Sequence, residues 1–311
     1  MRGNTFVPGA PEALCMTILA HLTDLHMLER DHRKRRGLSR TRLQFLSTGA
    51  ALDAEARLQR ATRMLQLAQR GGADHILLTG DLTEDGVDSQ FEMLAEALHN
   101  SGVEPERVTL LPGNHDAYVD YRAFDRALAG PLQAFRATSR DHAKTVLPGA
   151  VIVPISTAIE GQWFTRSRGA IRAEDVARVR RIASDPISHD RAVVVAQHHP
   201  PSQHPVFALE WFDGVDNVSS MRDLLYERSR VHVLHGHRHR LSTKHLSGRE
   251  HAQIFCAASV RDQHDTTEQS LRFYKAEAGT LRELQAALPA LQRRTAMLER
   301  RPGLALNPLQ L

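Results

Sequence analysis

Side chains able to hold a metal ion or move a proton end five separate apolar runs in this chain. Met16-Thr17-Ile18-Leu19-Ala20-His21-Leu22 delivers Asp24 and His26, and Asp74-His75-Ile76-Leu77-Leu78-Thr79 ends in Gly80-Asp81. Val108-Thr109-Leu110-Leu111-Pro112 ends in Gly113-Asn114-His115-Asp116. Ala192-Val193-Val194-Val195-Ala196 ends in Gln197-His198-His199, and Val231-His232-Val233-Leu234 in His235-Gly236-His237-Arg238-His239. Apolar runs of this length read as buried strands, and open α/β sheets bind ligands beyond the carboxyl ends of their strands. Residues two apart on an extended chain face the same side, so Asp24 and His26 can reach one ion. A mixture of carboxylate, imidazole and amide suits Mn, Fe, Zn or Co. With no thiolate in the set, a structural zinc site is not indicated.

The elements that must position these groups follow from periodicity and punctuation. Asp53 to Arg70 has helical spacing, with Ala54, Leu58, Ala61, Leu65 and Ala68 near one face and Gly71-Gly72 after it. Val87 to Leu98 is a second helix, and residues 173–183 a third. The order strand, helix, strand, helix, strand predicts parallel pairing through right-handed crossovers. Residues 117–141 are predicted to be helical, Val151 to Ile155 a strand, and residues 161–169 a loop. Segments 241–247, 251–260 and 270–276 alternate as short, antiparallel strands. Residues 280–300 have the pattern of an amphipathic helix interrupted by Pro289, which sets 1–279 as a catalytic domain and 280–311 as a helical extension.

Bulk composition narrows the class. The 311 residues are 41% hydrophobic and 24% charged, ordinary for a soluble globular protein, and suffice for one large α/β domain. No apolar run approaches the roughly 20 residues that span a bilayer, and no secretory pattern opens the chain, so a cytoplasmic location is expected. Cys15 and Cys256 form no C-x-x-C pair. A formal charge of +4 does not by itself call for nucleic acid. The basic run Arg30 to Arg36, continued by Arg40 and Arg42, is either a solvated loop or a surface for anionic lipid or a polyanionic substrate. Leu38, Leu43, Phe45 and Leu46 interleave with it and keep a peripheral membrane contact through residues 30–45 open. A homodimer is also left open.

Taken together, Asp24-Leu25-His26, Gly80-Asp81, Gly113 to Asp116, His198 and Gly236-His237-Arg238-His239 resemble the five-block signature of the calcineurin-like metallophosphoesterases. The resemblance implies a central β-sandwich of mixed sheets flanked by helices. It also implies a pair of divalent or trivalent ions. Asp24, His26 and His239 would hold the first, and Asn114, His198 and His237 the second. Asp81 would bridge them, a role for which a carboxylate has two oxygens. A hydroxide between the ions would be the nucleophile. His115 would contact the phosphate and protonate the leaving oxygen, with Asp116 orienting His115 through its other ring nitrogen. Two ions about 3.5–4 Å apart clamp the attacking and leaving oxygens of an in-line displacement. With two divalent ions, and Asp24 and Asp81 supplying the only formal negative charges, such a centre keeps a charge near +2, or about +1 with hydroxide.

The substrate is less sharply written. Protein phosphatases of this superfamily carry an Arg soon after the bridging Asp, but here the text is Leu82-Thr83-Glu84-Asp85-Gly86. That block, with His198-His199-Pro200-Pro201, is similar to the class III cyclic nucleotide phosphodiesterases, which implies a small-molecule phosphodiester substrate and no nucleic-acid partner. Alternatives are a nucleotide-sugar-lipid pyrophosphatase of the lipid A precursor type, a broad phosphomonoesterase, and a scaffold of the same fold without catalysis. Trp163, Phe164, Trp211 and Phe212 are candidate apolar contacts for the substrate, and Arg166, Arg168 and Arg238 candidate anion contacts.

Overall fold

Along the first strand, Ile18, Ala20 and Leu22 enter one apolar cluster and Leu19 enters another. Both faces of the strand are therefore covered, as its near-continuous hydrophobic run requires. The computed structural model describes residues 15–284 except 48, 141, 162, 204–205, 207–208 and 263–269. In chain order its strands are β1 (Met16–Leu22), β2 (His75–Thr79), β3 (Val108–Leu111), β4 (Thr145–Val146), β5 (Ala150–Pro154), β6 (Gly169–Ala170) and β7 (Ala192–Ala196). They continue with β8 (Val215–Asp216), β9 (Val231–His235), β10 (Ser242–Lys244), β11 (Ile254–Cys256), β12 (Arg272–Glu277) and β13 (Thr280–Leu284). The helices are α1 (Gly37–Leu46), α2 (Ala54–Arg70), α3 (Asp88–Ser101), α4 (Ala123–Ala129), α5 (Arg136–Ser139), α6 (Ala173–Ser184), α7 (Glu210–Asp213) and α8 (Val218–Glu227).

Two mixed sheets, ordered β13-β12-β1-β2-β3 and β10-β11-β9-β7-β5-β4, pack face to face. Leu19, Leu77 and Leu111 from the first meet Ile152, Val194, Leu234 and Phe255 from the second. The outer face of the first sheet packs on α2, α3 and α4, and that of the second on α6 and α8. The result is the expected α/β sandwich, with β1, β2 and β3 parallel. Asp53 caps α2 by accepting from the Ala56 N–H at 3.0 Å, and Gly71 closes its other end.

Several sequence expectations need correction. β10 pairs antiparallel with β11, but β11 runs parallel to β9, so it extends the crossover half of its sheet. Residues 117–141 break into the short α4 and α5 with single 3-10 turns. The basic segment is not a plain solvated loop: it contains α1, and Arg35 and Arg42 both reach the buried Asp85, at 2.6 and 2.8 Å. Residues 280–284 form β13, paired with β12, instead of opening a helix. The boundary at 279 therefore cuts a hairpin, and the rest of the expected extension lies outside the described residues. Among the described residues no helix is long and apolar enough to cross a membrane.

Three histidines line the strands inside the sandwich. His21 Nε2 lies 2.7 Å from Thr79 Oγ1 and His75 Nε2 2.8 Å from Thr109 Oγ1, while His232 is 1% exposed. Burial lowers His21 and His75 to about 3 and His232 to about 4. Their folded values lie below that of the open chain, so the stability they contribute is complete above about pH 6.5 and is lost as pH falls toward their folded values. Each costs about 1.4 kcal/mol per pH unit in that window. Denaturant unfolding between about pH 6 and pH 5 should show a shallower loss of stability for His75→Gln than for the parent; equal slopes would refute the assignment.

Candidate metal centre

Five of the side chains singled out above sit on backbone that L-residues rarely adopt. Asp24, His26, Asp81, His237 and His239 have φ of 54°, 50°, 47°, 69° and 50°. Positive φ turns a side chain sharply at a strand end. Such a conformation costs on the order of 1–3 kcal/mol and persists where surrounding structure enforces it. Two glycines supply the room. A Cβ on Gly113 would stand 2.2 Å from Asp81 Oδ1, and one on Gly236 would stand 1.8 Å from Thr23 Oγ1 and 2.6 Å from Asp24 Oδ2.

The side chains so turned form two groups that share one atom. In the first, His239 Nε2 lies 3.1 Å from Asp24 Oδ1 and 3.5 Å from His26 Nε2, which is 3.9 Å from Asp81 Oδ2. In the second, His198 Nε2 lies 3.2 Å from Asp81 Oδ2 and 3.1 Å from Asn114 Oδ1, which is 3.2 Å from His237 Nδ1. Atoms bound at about 2.1 Å to one ion stand roughly 3–4 Å apart, so both groups fit a metal. Among the described residues Asp24 Oδ1 is buried and faces only imidazole nitrogen, that of His239, while its Oδ2 accepts from Thr23 Oγ1 at 2.7 Å and the His237 N–H at 3.2 Å. A buried carboxylate oxygen facing imidazole nitrogen marks a place built for a cation. Asp81 Oδ2 faces both groups, while Oδ1 accepts from the His115 N–H at 2.9 Å.

The outer nitrogen of most of these imidazoles is held by an acceptor, so in the neutral ring the inner nitrogen carries the lone pair. His198 Nδ1 donates to the Thr79 carbonyl at 2.8 Å and His115 Nδ1 to that of Glu84 at 2.7 Å. His239 Nδ1 donates to Asp262 at 2.5 Å, and His237 Nε2 donates to Asp213. Each outer carboxylate in turn meets an arginine: Asp213 meets Arg238 at 3.2 Å and Asp262 meets Arg261 at 2.7 Å. Asn114 is fixed by its amide, which donates to Tyr118 Oη at 2.8 Å and so turns Oδ1 toward the histidines. Only His26 has a loose outer contact, Glu84 Oε2 at 3.7 Å.

Burial would raise Asp24 and Asp81, but neighbouring imidazoles outweigh it: His239 and His198 hold Asp24 down, and His198, His115 and His26 hold Asp81 well down. Against the opposing effect of burial, Asp81 pushes His198 up to about 9 and Asp24 pushes His239 up to about 10.

All seven expected metal ligands thus converge, and His115 stands beside them with Nε2 3.8 Å from Asp81 Oδ2. His199 stands beside His198 and His237, with one ring nitrogen of each within 4.8 Å of the others, but both of its nitrogens have protein partners. Its Nε2 donates to the Ser167 carbonyl at 3.1 Å and its Nδ1 meets Thr157 Oγ1 at 2.8 Å. Asp116 does not orient His115 as expected. Its carboxylate accepts from the N–H groups of Leu82, Thr83 and Gly113 and from Thr83 Oγ1, at 2.6–3.0 Å, tying the Asp81 loop to the Asn114 loop. Burial, with the nearby Asp81 charge, raises it to about 6.

Asp213, Asp262, Glu84 and Tyr118 were missed in the sequence. Glu84 and Tyr118 lie within four residues of a motif and could have been suspected from that spacing. Nothing near Asp213 or Asp262 in the sequence marks either as a partner of the histidine block.

The comparisons agree with this geometry. The family model described as calcineurin-like phosphoesterase matches residues 18–241, and the chain belongs to that family. Its fold is similar to that of a dimetal phosphatase from Danio rerio, with a TM-score of 0.60 at 12% identity over 86% of this chain and 98% of the other. It is also similar to a purple acid phosphatase from yellow lupin (Lupinus luteus) seeds, with a TM-score of 0.52 at 11% identity over 88% of this chain and 51% of the other. No curated protein matches the sequence.

Removing an outer carboxylate should loosen the metal without unfolding the sandwich. Asp262→Asn and Asp213→Asn are each expected to weaken metal binding about 10–100-fold in competition with a fluorescent chelator, at an unchanged circular dichroism spectrum. Parent-like affinity in both variants would show the pairs to be only structural.

Proposed function

We propose that the protein is a phosphodiester hydrolase dependent on two metal ions. In this reading Asp24, His26 and His239 hold one ion, Asn114, His198 and His237 the other, and Asp81 Oδ2 lies between them. When bound, the ions supply Lewis acidity toward the phosphoryl oxygens and make hydroxide available at neutral pH. The residues do the rest. Outer partners keep the inner nitrogens of four histidines directed at the centre, and Tyr118 keeps the Asn114 oxygen there. His115, with Nδ1 donating to the Glu84 carbonyl, presents Nε2 toward the reacting phosphate; as the imidazolium it would give the Nε2 proton to the leaving oxygen and keep the lone pair there.

The observation that carries the diester reading is where the guanidiniums go. A phosphomonoester dianion calls for a fork of donors. Around this centre Arg238 pairs with Asp213, Arg261 with Asp262 and Glu84, and Arg168 with Asp216. Arg166 lies 4.1 Å over the Trp211 ring. Where the phosphatase motif has its Arg, Asp85 is instead buried against Arg35 and Arg42. A diester carries one charge less and has a second organic group to place. The exposed aromatics Trp163 and Trp211 suit such a group. Their segments are tied to the centre: Ser167 N–H donates to the Phe212 carbonyl at 2.8 Å, and the Ser167 carbonyl accepts from His199.

The test is a substrate pair assayed with added manganese. Bis-p-nitrophenyl phosphate is expected to show the higher kcat/KM and p-nitrophenyl phosphate the lower, with both activities lost on chelation and restored by metal; a reversed preference would overturn the diester reading. Asn114 contributes an oxygen without a charge, so it leaves the centre one charge more positive than Asp would. Asn114→Asp is expected to keep its metal while turnover falls about tenfold or more. Unchanged turnover in a metal-replete variant would contradict this.

A further inference from the structure

Eleven large apolar side chains are exposed among the described residues, and seven of them come from three segments: α1, the loop at Trp163 and residues 206–212. The chain's two tryptophans, Trp163 and Trp211, are both in this set, 66% and 56% exposed. Single exposed apolar residues are ordinary, whereas a joined set marks a surface for a partner. These are joined. Phe45 meets Phe164 edge to face with ring centroids 5.4 Å apart, and Phe164 meets Trp163 at 5.7 Å. The Arg166 N–H donates to the Trp163 carbonyl at 2.9 Å, while its guanidinium lies 4.1 Å over the Trp211 ring. Trp211 in turn meets Phe212 at 4.6 Å.

The sequence of α1 sets its apolar residues outside. Leu43 is the residue that α1 buries. Leu38 and Phe45 are two helical turns apart, so they share one stripe, and that stripe points away from Leu43. Leu38 is 77% exposed. The helix is held in this attitude by Arg42 on Asp85 at 2.8 Å, by Arg35 on the same carboxylate at 2.6 Å, and by Ser47 Oγ, which donates to Glu84 at 2.8 Å.

The charge beside the stripe has one sign. Between residues 30 and 46 Asp31 is the single acid, and it lies 3.6 Å from Lys34. Arg30 is taken by Glu55 and Glu96, Arg35 by Glu29 and Asp85, and Arg42 by Asp85. Arg36 donates to the carbonyls of Arg33 and Arg35. Arg33, Arg36 and Arg40 are all exposed, and none of them meets a carboxylate among the described residues. Aromatic and aliphatic side chains flanked by unneutralised arginines suit the boundary of an anionic bilayer. The apolar groups enter the headgroup region, and the long stems keep the guanidiniums among the lipid phosphates. A soluble polyanion would use the arginines and leave Leu38 in water.

We propose that this face docks the protein on an anionic lipid bilayer, with α1 and the loops of Trp163 and Trp211 in the headgroup region. The docking does not rest on the diesterase reading, because it concerns where the protein sits and not which ester it cleaves. Trp163 and Trp211 lie where both would use them.

The full chain with manganese, mixed with vesicles of phosphatidylcholine alone or with an equal part of phosphatidylglycerol, tests it. The anionic vesicles should carry the protein down on centrifugation and shift its tryptophan emission to the blue, and the neutral vesicles should do both more weakly. Leu38→Glu should weaken the affinity for anionic vesicles about tenfold or more. Arg33→Gln, Arg36→Gln and Arg40→Gln together should weaken it about 100-fold, at an unchanged circular dichroism spectrum. Absence of binding overturns the proposal. So does binding without an emission shift, because another part of the chain then holds the lipid. Binding lost in the arginine variant but unchanged in Leu38→Glu overturns it in favour of a soluble polyanion. A parent that sediments as a dimer, ignores vesicles and becomes monomeric in Leu38→Glu overturns it in favour of a second copy of the chain.

Discussion

Everything in this molecule answers to Asp81 Oδ2. One buried oxygen faces two groups of candidate metal-binding atoms at once. Its position is fixed from behind by the His115 N–H on Oδ1, by the missing Cβ of Gly113, and by left-handed backbone at Asp81 itself. That conformation is unfavourable for an aspartate in isolation and is enforced by the Asp116 carboxylate, which collects donors from both adjoining loops. Asp116 is in this sense the keystone of the loops and not a relay to His115.

The outer layer solves a different problem, that of which imidazole nitrogen is free. A histidine at a strand end has two chemically similar nitrogens, and only one can serve the centre. Carbonyls of Thr79 and Glu84 and carboxylates of Asp213 and Asp262 settle the choice one ring at a time. The two carboxylates are each matched by an arginine, which keeps their charge from cancelling the positive potential that a phosphate needs. Glu84 is likewise balanced by Arg57 and Arg261. The outer layer therefore orients ligands at almost no net charge.

How much of this was legible in the sequence depended on distance along the chain. Strands such as Ala192 to Ala196 were plain because both faces are buried and the apolar run is continuous. The eight side chains at the centre, His115 among them, are legible because each follows such a strand, and the family resemblance separates seven of them from His115. Asp262 and Asp213 were invisible because their partner is fixed by how two loops fold back over the sheet edge, which no local pattern encodes. Asp116 misled for the opposite reason: adjacency to His115 suggested a partnership, but the 3-10 turn at His115–Ala117 points the carboxylate under the neighbouring loop. At Thr280 to Leu284 an amphipathic pattern fitted a helix, while an open edge on β12 drew the segment into a hairpin. Alternation along residues 251–260 predicts a strand but not both of its neighbours: β11 is antiparallel to β10, as expected, and parallel to β9.

The inward-facing atoms do not all come from one sheet. Asp24, Asp81 and Asn114 follow strands of the first, and His198 and His237 follow strands of the second, with the seam between them. A nascent chain leaving the ribosome can fold β1 to β3 long before the histidine block past β9 is synthesised. It then offers two carboxylates and an amide with no imidazoles from the other half to complete the set.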